Sequence, residues 1–110
     1  MSIPAKLLAR SEAEIQRAIL DYLATVSGCV AWRANTGAVS TGERFVRFGP
    51  KGQADIIGCY RGRFLACEVK QAGKRPTAEQ VAFLAAINQA GGITCVATSV
   101  EDVRRALELA

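Results

Sequence analysis

A chain of 110 residues is the size of one domain, enough to bury roughly two-thirds of its unfolded surface but too short for two independent cores. Half of its residues are hydrophobic and 22% are charged, which excludes a disordered or fibrous chain. Its net charge of +4 favours polyanionic partners, and the lack of any histidine leaves acid–base work to carboxylates, lysine, tyrosine, cysteine or metal-bound water.

Cys29, Cys59, Cys67 and Cys95 have no C-x-x-C spacing and sit among apolar neighbours, so they read as buried free thiols of a reducing cytosol and not as a zinc or redox site. The N-terminal residues show no apolar h-region, and no window reaches the roughly 18 apolar residues of a membrane span. A soluble, cytoplasmic protein is the expectation.

Ser11 is a natural N-cap, with Glu12 and Glu14 in the turn where the helix dipole favours negative charge. Ile15, Ile19, Tyr22 and Leu23 recur at helical spacing and Gly28 supplies a stop, which predicts a helix from Glu12 to Val26. Val30 to Arg33 reads as a short strand. Residues 35–52 hold four glycines around Phe45-Val46-Arg47-Phe48 and read as a loop or an irregular hairpin.

Ala54–Tyr60 and Phe64–Lys70 are rich in β-favouring residues and flank Arg61-Gly62, the mark of a β-hairpin. After a basic loop, Thr77 caps a helix whose apolar stripe runs from Gln80 through Phe83, Leu84 and Ile87 to a Gly91-Gly92 stop. Ile93–Ala97 is a short buried strand. Ser99 caps a last helix carrying Val100, Val103 and Leu107 on one face. The order α-β-β-β-α-β-α, without repeat or linker, predicts one α/β domain over residues 1–110.

The hairpin carries the chemistry. If its turn is centred on Arg61-Gly62, Asp55 lies directly opposite Glu68, and Lys70 shares their face because strand side chains alternate. Like charges opposed at about 4.5–5.5 Å destabilise a sheet, and a hard divalent cation, Mg²⁺ or Mn²⁺, is what two carboxylates would take. Such an ion activates water and stabilises charge on a phosphate, with Lys70 to orient or deprotonate the nucleophile. Glu68 and Lys70 alone would read as an ordinary same-face ion pair. The apolar run Leu65-Ala66-Cys67 before Glu68 weighs against that, since an unpaired charge is expensive in a buried strand.

The run Gly52-Gln53-Ala54-Asp55-Ile56-Ile57-Gly58, then Glu68-Val69-Lys70, then Thr77-Ala78-Glu79-Gln80, resembles the VRR-NUC nucleases of the PD-(D/E)xK superfamily, over about Glu12 to Glu108. The family's usual proline is here Ala54, a position that shapes the turn and binds no metal. The resemblance implies a restriction-endonuclease-like core, a mixed β-sheet flanked by helices. It also implies Mg²⁺ or Mn²⁺ held by Asp55, Glu68 and the Val69 backbone carbonyl, with DNA hydrolysis leaving 5′-phosphate and 3′-hydroxyl ends. Stand-alone members of this size look like phage or prophage enzymes that act as homodimers, some on four-way junctions.

The family pattern also places a glutamine at Gln80 that lines the active site; otherwise Gln80 is a first-turn residue satisfied by nearby backbone. It places a glutamate on the first helix too. Periodicity selects Glu12, which leads to Ile15 and Ile19, over Glu14, which leads to Arg17 and Asp21, and a water would link Glu12 to the metal. Both glutamates can otherwise simply complement the helix dipole.

Arg33, Arg44, Arg47, Lys51, Lys74 and Arg75 cluster on either side of the hairpin, where they can contact DNA phosphates; a solvated basic surface is the plainer account. Arg104 and Arg105 should face solvent. Trp32 belongs in the core before it belongs under a base, and Phe45 and Phe48 suit a dimer interface. A non-catalytic nucleic-acid-binding module that kept the fold, and an interaction protein with a fortuitous E-x-K, are the alternatives to an enzyme.

Overall fold

The computed structural model describes residues 9–34, 37–41 and 44–110, with side chains for 9–34 and 49–110. Its elements are α1 (Glu12–Leu23), β1 (Cys29–Arg33), β2 (Gly37–Thr41), β3 (Arg44–Phe48), β4 (Ile56–Tyr60), β5 (Arg63–Val69), α2 (Ala78–Gln89), β6 (Ile93–Ala97) and α3 (Val100–Glu108). A four-stranded mixed sheet of order β1-β4-β5-β6 forms the centre, and β2 and β3 pair as a separate antiparallel ribbon. The predicted order holds. The stretch expected as a loop or irregular hairpin is that ribbon, and the side chains of Arg44, Phe45, Arg47 and Phe48 lie outside the described residues.

The β4–β5 hairpin has the expected register, from Tyr60 opposite Arg63 to Ile56 opposite Cys67. Its two-residue turn needs positive φ at both central residues, which Arg61 (47°) and Gly62 (84°) adopt; the Arg61 guanidinium lies 5.3 Å from the Tyr60 ring centre. β5 then pairs in parallel with β6, placing Glu68 beside Val96. The crossover between these parallel strands is α2, as such a pairing requires.

Helices cover both faces of the sheet. On one, Ile15, Ile19 and Leu23 of α1 and Val103 and Leu107 of α3 pack on Ile56, Leu65, Cys67, Val69, Ile93 and Ala97. On the other, a smaller cluster joins Leu84, Phe83 and Ile87 of α2 to Ala54 and Ala66. β5 is therefore covered on both sides, with every residue from Leu65 to Val69 buried, and Glu68 lies within that run. That side chain faces the α2 side, because alternation puts Cys67 and Val69 in the larger core.

Both predicted caps of the first two helices are capping boxes, Ser11 with Glu14 and Thr77 with Gln80. Three expectations need correction. The first helix ends at Leu23, short of Val26, because Thr25 turns back through its hydroxyl onto the Tyr22 carbonyl at 2.7 Å. Ser99 occupies the N-cap of α3 but makes no capping bond; Asp102 instead accepts from the Thr98 amide (2.9 Å) and hydroxyl (3.1 Å), which hold its carboxyl below the usual range. Of the four cysteines, all free, only Cys67 is fully buried and Cys59 is exposed, because it lies on β4 at the α2 side of the sheet, where α2 packs chiefly over β5 and β6. Among the described residues no helix is long and apolar enough to cross a membrane.

Candidate active site

Glu68 is 1% exposed, the one buried charged side chain among the described residues. Its Oε1 lies 3.5 Å from the Lys70 ammonium, while Oε2 is buried without a hydrogen-bond partner. Burial first, and the neighbouring Asp55 carboxylate second, push its carboxyl up to about 7 against the partial relief that Lys70 supplies. A carboxylate whose second oxygen lacks a donor is a poor structural element, since leaving one buried polar group unsatisfied costs about 1–3 kcal/mol. It is a good ligand for a hard cation.

Asp55 sits one residue before β4, where the register carries it opposite Glu68. Two bonds fix it: its carbonyl accepts from the Ala34 amide at 2.8 Å, and its Oδ2 accepts from the Val69 amide at 2.8 Å. The second bond also anchors the peptide between Glu68 and Val69, next to the Val69 carbonyl expected to offer its oxygen. Lys70 leaves β5 held by its own amide on the Ala97 carbonyl at 3.0 Å, and its side chain is 14% exposed. Asp55, Glu68 and Lys70 are thus brought together at one end of the sheet, as the register predicts.

The rest of the expected set divides. Gln71 donates to the Arg10 carbonyl at 3.1 Å, which draws the start of α1, and with it half-buried Glu12, toward the end of β5 that carries Glu68 and Lys70. Glu14 is exposed, and its carboxylate closes the cap with the Ser11 amide and hydroxyl. Among the described residues no third acidic or thiol group joins Asp55 and Glu68. Gln80 is only half-buried, and its Oε1 accepts from the Thr77 amide at 2.8 Å; the capping box takes its oxygen and leaves its amide nitrogen for a substrate or water.

Arg33, Lys74 and Arg75 are exposed, the first beside Ala34 and the others in the loop after Lys70. Lys51 is exposed as well, but pairs with Glu79 at 2.8 Å at the start of α2. That pair belongs to a contact the sequence did not announce. A Cβ on Gly52 would collide with the Glu79 carbonyl, so only glycine, here at φ 77°, lets the loop before Asp55 lie against the first turn of α2. Arg104 and Arg105 are exposed, and Arg104 pairs with Glu101 and Glu108. Trp32, expected in the core, is 51% exposed, because α2 packs chiefly over β5 and β6.

An open cavity of about 440 Å³ lies elsewhere, against β6 and α3, and does not touch Asp55, Glu68 or Lys70. Chemically, the hairpin end offers two carboxylates for a hard cation and one ammonium for an anion. With two protein carboxylates, the rest of a Mg²⁺ or Mn²⁺ shell would come from a backbone carbonyl, water and substrate oxygen, the usual composition for such ions. No protein-family model matches the chain, and no curated protein matches it.

Proposed function

We propose that the protein is a Mg²⁺- or Mn²⁺-dependent DNA endonuclease with a restriction-endonuclease-like core, of the VRR-NUC kind within the PD-(D/E)xK nucleases. The observation that carries this reading is the buried Glu68 carboxylate with its unpartnered Oε2, set against Asp55 and 3.5 Å from Lys70. The Lys70 ammonium answers only one of its oxygens, and a bound cation would relieve both the orphaned oxygen and the repulsion between the acids.

Asp55, Glu68 and the Val69 carbonyl would hold the ion, which when bound supplies a Lewis acid for the phosphate and lowers the pKa of water. The chain's own residues do the rest. Lys70, shielded from bulk water and tethered to Glu68, holds the attacking water or the charge that grows on the phosphate. Glu12 and the amide nitrogen of Gln80 are the groups that can order further waters. Arg33, Lys74 and Arg75, with Arg44 and Arg47 from β3, supply phosphate contacts on either side. Water adds to phosphorus, the bond to the 3′ oxygen breaks, and that oxygen takes the proton, leaving 5′-phosphate and 3′-hydroxyl ends.

Two copies of the site would suit a branched or four-way-junction DNA with two strands to cut, so the working form is proposed as a cytoplasmic homodimer. The test is a panel of branched, flapped, duplex and single-stranded DNAs incubated with Mg²⁺, Mn²⁺ or EDTA. Metal-dependent cleavage lost in Glu68→Gln supports the reading. DNA binding without cleavage under any metal would leave the non-catalytic binding module in its place.

A further inference from the structure

Trp32 stands on the same sheet face as the two acids. Strand pairing sets Trp32 beside Ile57 and Ile57 beside Ala66, one row along from Asp55 and Glu68; the next row is Val30, Cys59 and Phe64. In these rows Trp32 (51% exposed) and Val30 (68%) stand on β1, away from β5 and β6 that α2 chiefly covers, and Phe64, at the start of β5, is 42% exposed. An indole left half in water beside a buried acidic pair calls for an occupant.

We infer that Trp32 is a stacking platform for an unpaired base of the DNA strand whose backbone reaches Asp55 and Glu68, an assignment that rests on the nuclease reading for its place beside the scissile bond. Spacing, charge and shape carry it. At about 4.8 Å between strands and about 3.4 Å per residue, the Trp32 backbone lies roughly 8 Å from that of Asp55 and roughly 12 Å from that of Glu68. At about 3.4 Å per stacked nucleotide, that is roughly two to four nucleotides.

Exposed Lys74 and Arg75 follow Lys70 in the chain, so cations lie at the acid end of the apolar row within a chain of net charge +4. A π-face with cations along one side suits bases joined by phosphates. In an intact duplex both faces of each base are covered by its neighbours, so only an unpaired or splayed base can rest on an indole. The substrate class that follows is DNA with unpaired nucleotides within a few residues of the cut, such as a flap, a branch or an open junction.

Trp32 is the single tryptophan, so intrinsic fluorescence reports on it alone. The full chain is titrated in EDTA with oligothymidylate and with a blunt duplex of equal length, and binding is followed in parallel by anisotropy of labelled DNA. Expected is saturable quenching by the single strand and much less by the duplex. Trp32→Ala should weaken single-strand binding by about tenfold, or about 1.4 kcal/mol, and Trp32→Phe should retain most of it. Anisotropy that rises without quenching overturns the platform, as does equal quenching by duplex, or emission that shifts with protein concentration alone and so reports a second copy covering the indole. Because the assay needs no metal and no turnover, it separates the two readings: cleavage without quenching removes the platform only, and quenching in a protein that cleaves nothing removes the nuclease only.

Discussion

Replacing Glu68 by glutamine should make the metal-free protein more stable at pH 8, although it removes the residue on which activity is proposed to depend. The carboxyl rises from its ordinary 4.5 to about 7 in the fold, through burial and then the Asp55 charge. A raised carboxyl pKa means the folded chain holds the proton more tightly than the unfolded one. The penalty is therefore absent below pH 4.5, grows as pH climbs through the interval and levels off above 7. At about 1.4 kcal/mol per pH unit, the full interval is worth about 3 kcal/mol. Glutamine keeps the shape without the charge but releases Lys70 from its partner, so a net gain of about 2 kcal/mol, on the order of 10 °C in Tm, is expected at pH 8. At pH 5 the wild-type carboxyl is already protonated, and the gain should fall below about 1 kcal/mol. Thermal melts in EDTA at both pH values measure it. Millimolar Mg²⁺ should then raise the Tm of the wild type at pH 8 and leave Glu68→Gln unmoved. An equal gain at both pH values, or a loss at pH 8, would refute the claim that Glu68 is held as a strained charge.

Asp55→Asn, Glu68→Gln and Lys70→Ala should each lower cleavage roughly a thousandfold or more while DNA binding survives, measured by single-turnover cleavage and anisotropy. Asparagine is the better change at position 55, because alanine would also orphan the Val69 amide that Asp55 holds at 2.8 Å. Sedimentation equilibrium at micromolar concentration should give a dimer, and a monomer would remove the simplest route to paired cuts. Glu12→Gln should slow cleavage by at least about tenfold with an unchanged Tm, and Glu14→Gln should leave the rate alone because glutamine still closes the Ser11 cap. Equal small effects at the two positions would return Glu12 to the helix dipole.

The fold was legible wherever one local rule decided it. Arg61-Gly62 set the hairpin turn, and the turn set the register that opposes Asp55 to Glu68. Ser11 and Thr77 announced their helices through side chains that bond their own first turns. Ser99 looked equivalent, yet its hydroxyl caps no amide, and Asp102 instead accepts from the amide and hydroxyl of Thr98, one residue earlier. Gly52 is the opposite case: its glycine is required by a carbonyl on α2, far along the chain, and no local pattern could signal that contact.

The candidate site divides along the same line. Acids and lysine on one hairpin follow from period-two alternation, but burial on the second face of a strand depends on how far a neighbouring helix extends. Trp32 and Ala66 lie in the same row of the sheet, and α2 buries Ala66 while leaving Trp32 half in water. The apolar composition that argued for a core position was the same for both. What separated them was that α2 crosses between β5 and β6, its parallel neighbours, and so lies over those two strands and not over β1. That crossover shuts Glu68 away from water and, by the same placement, keeps the indole open two strands away. A helix displaced toward β1 would have covered the aromatic and uncovered the acid, leaving neither a strained carboxylate nor a platform beside it.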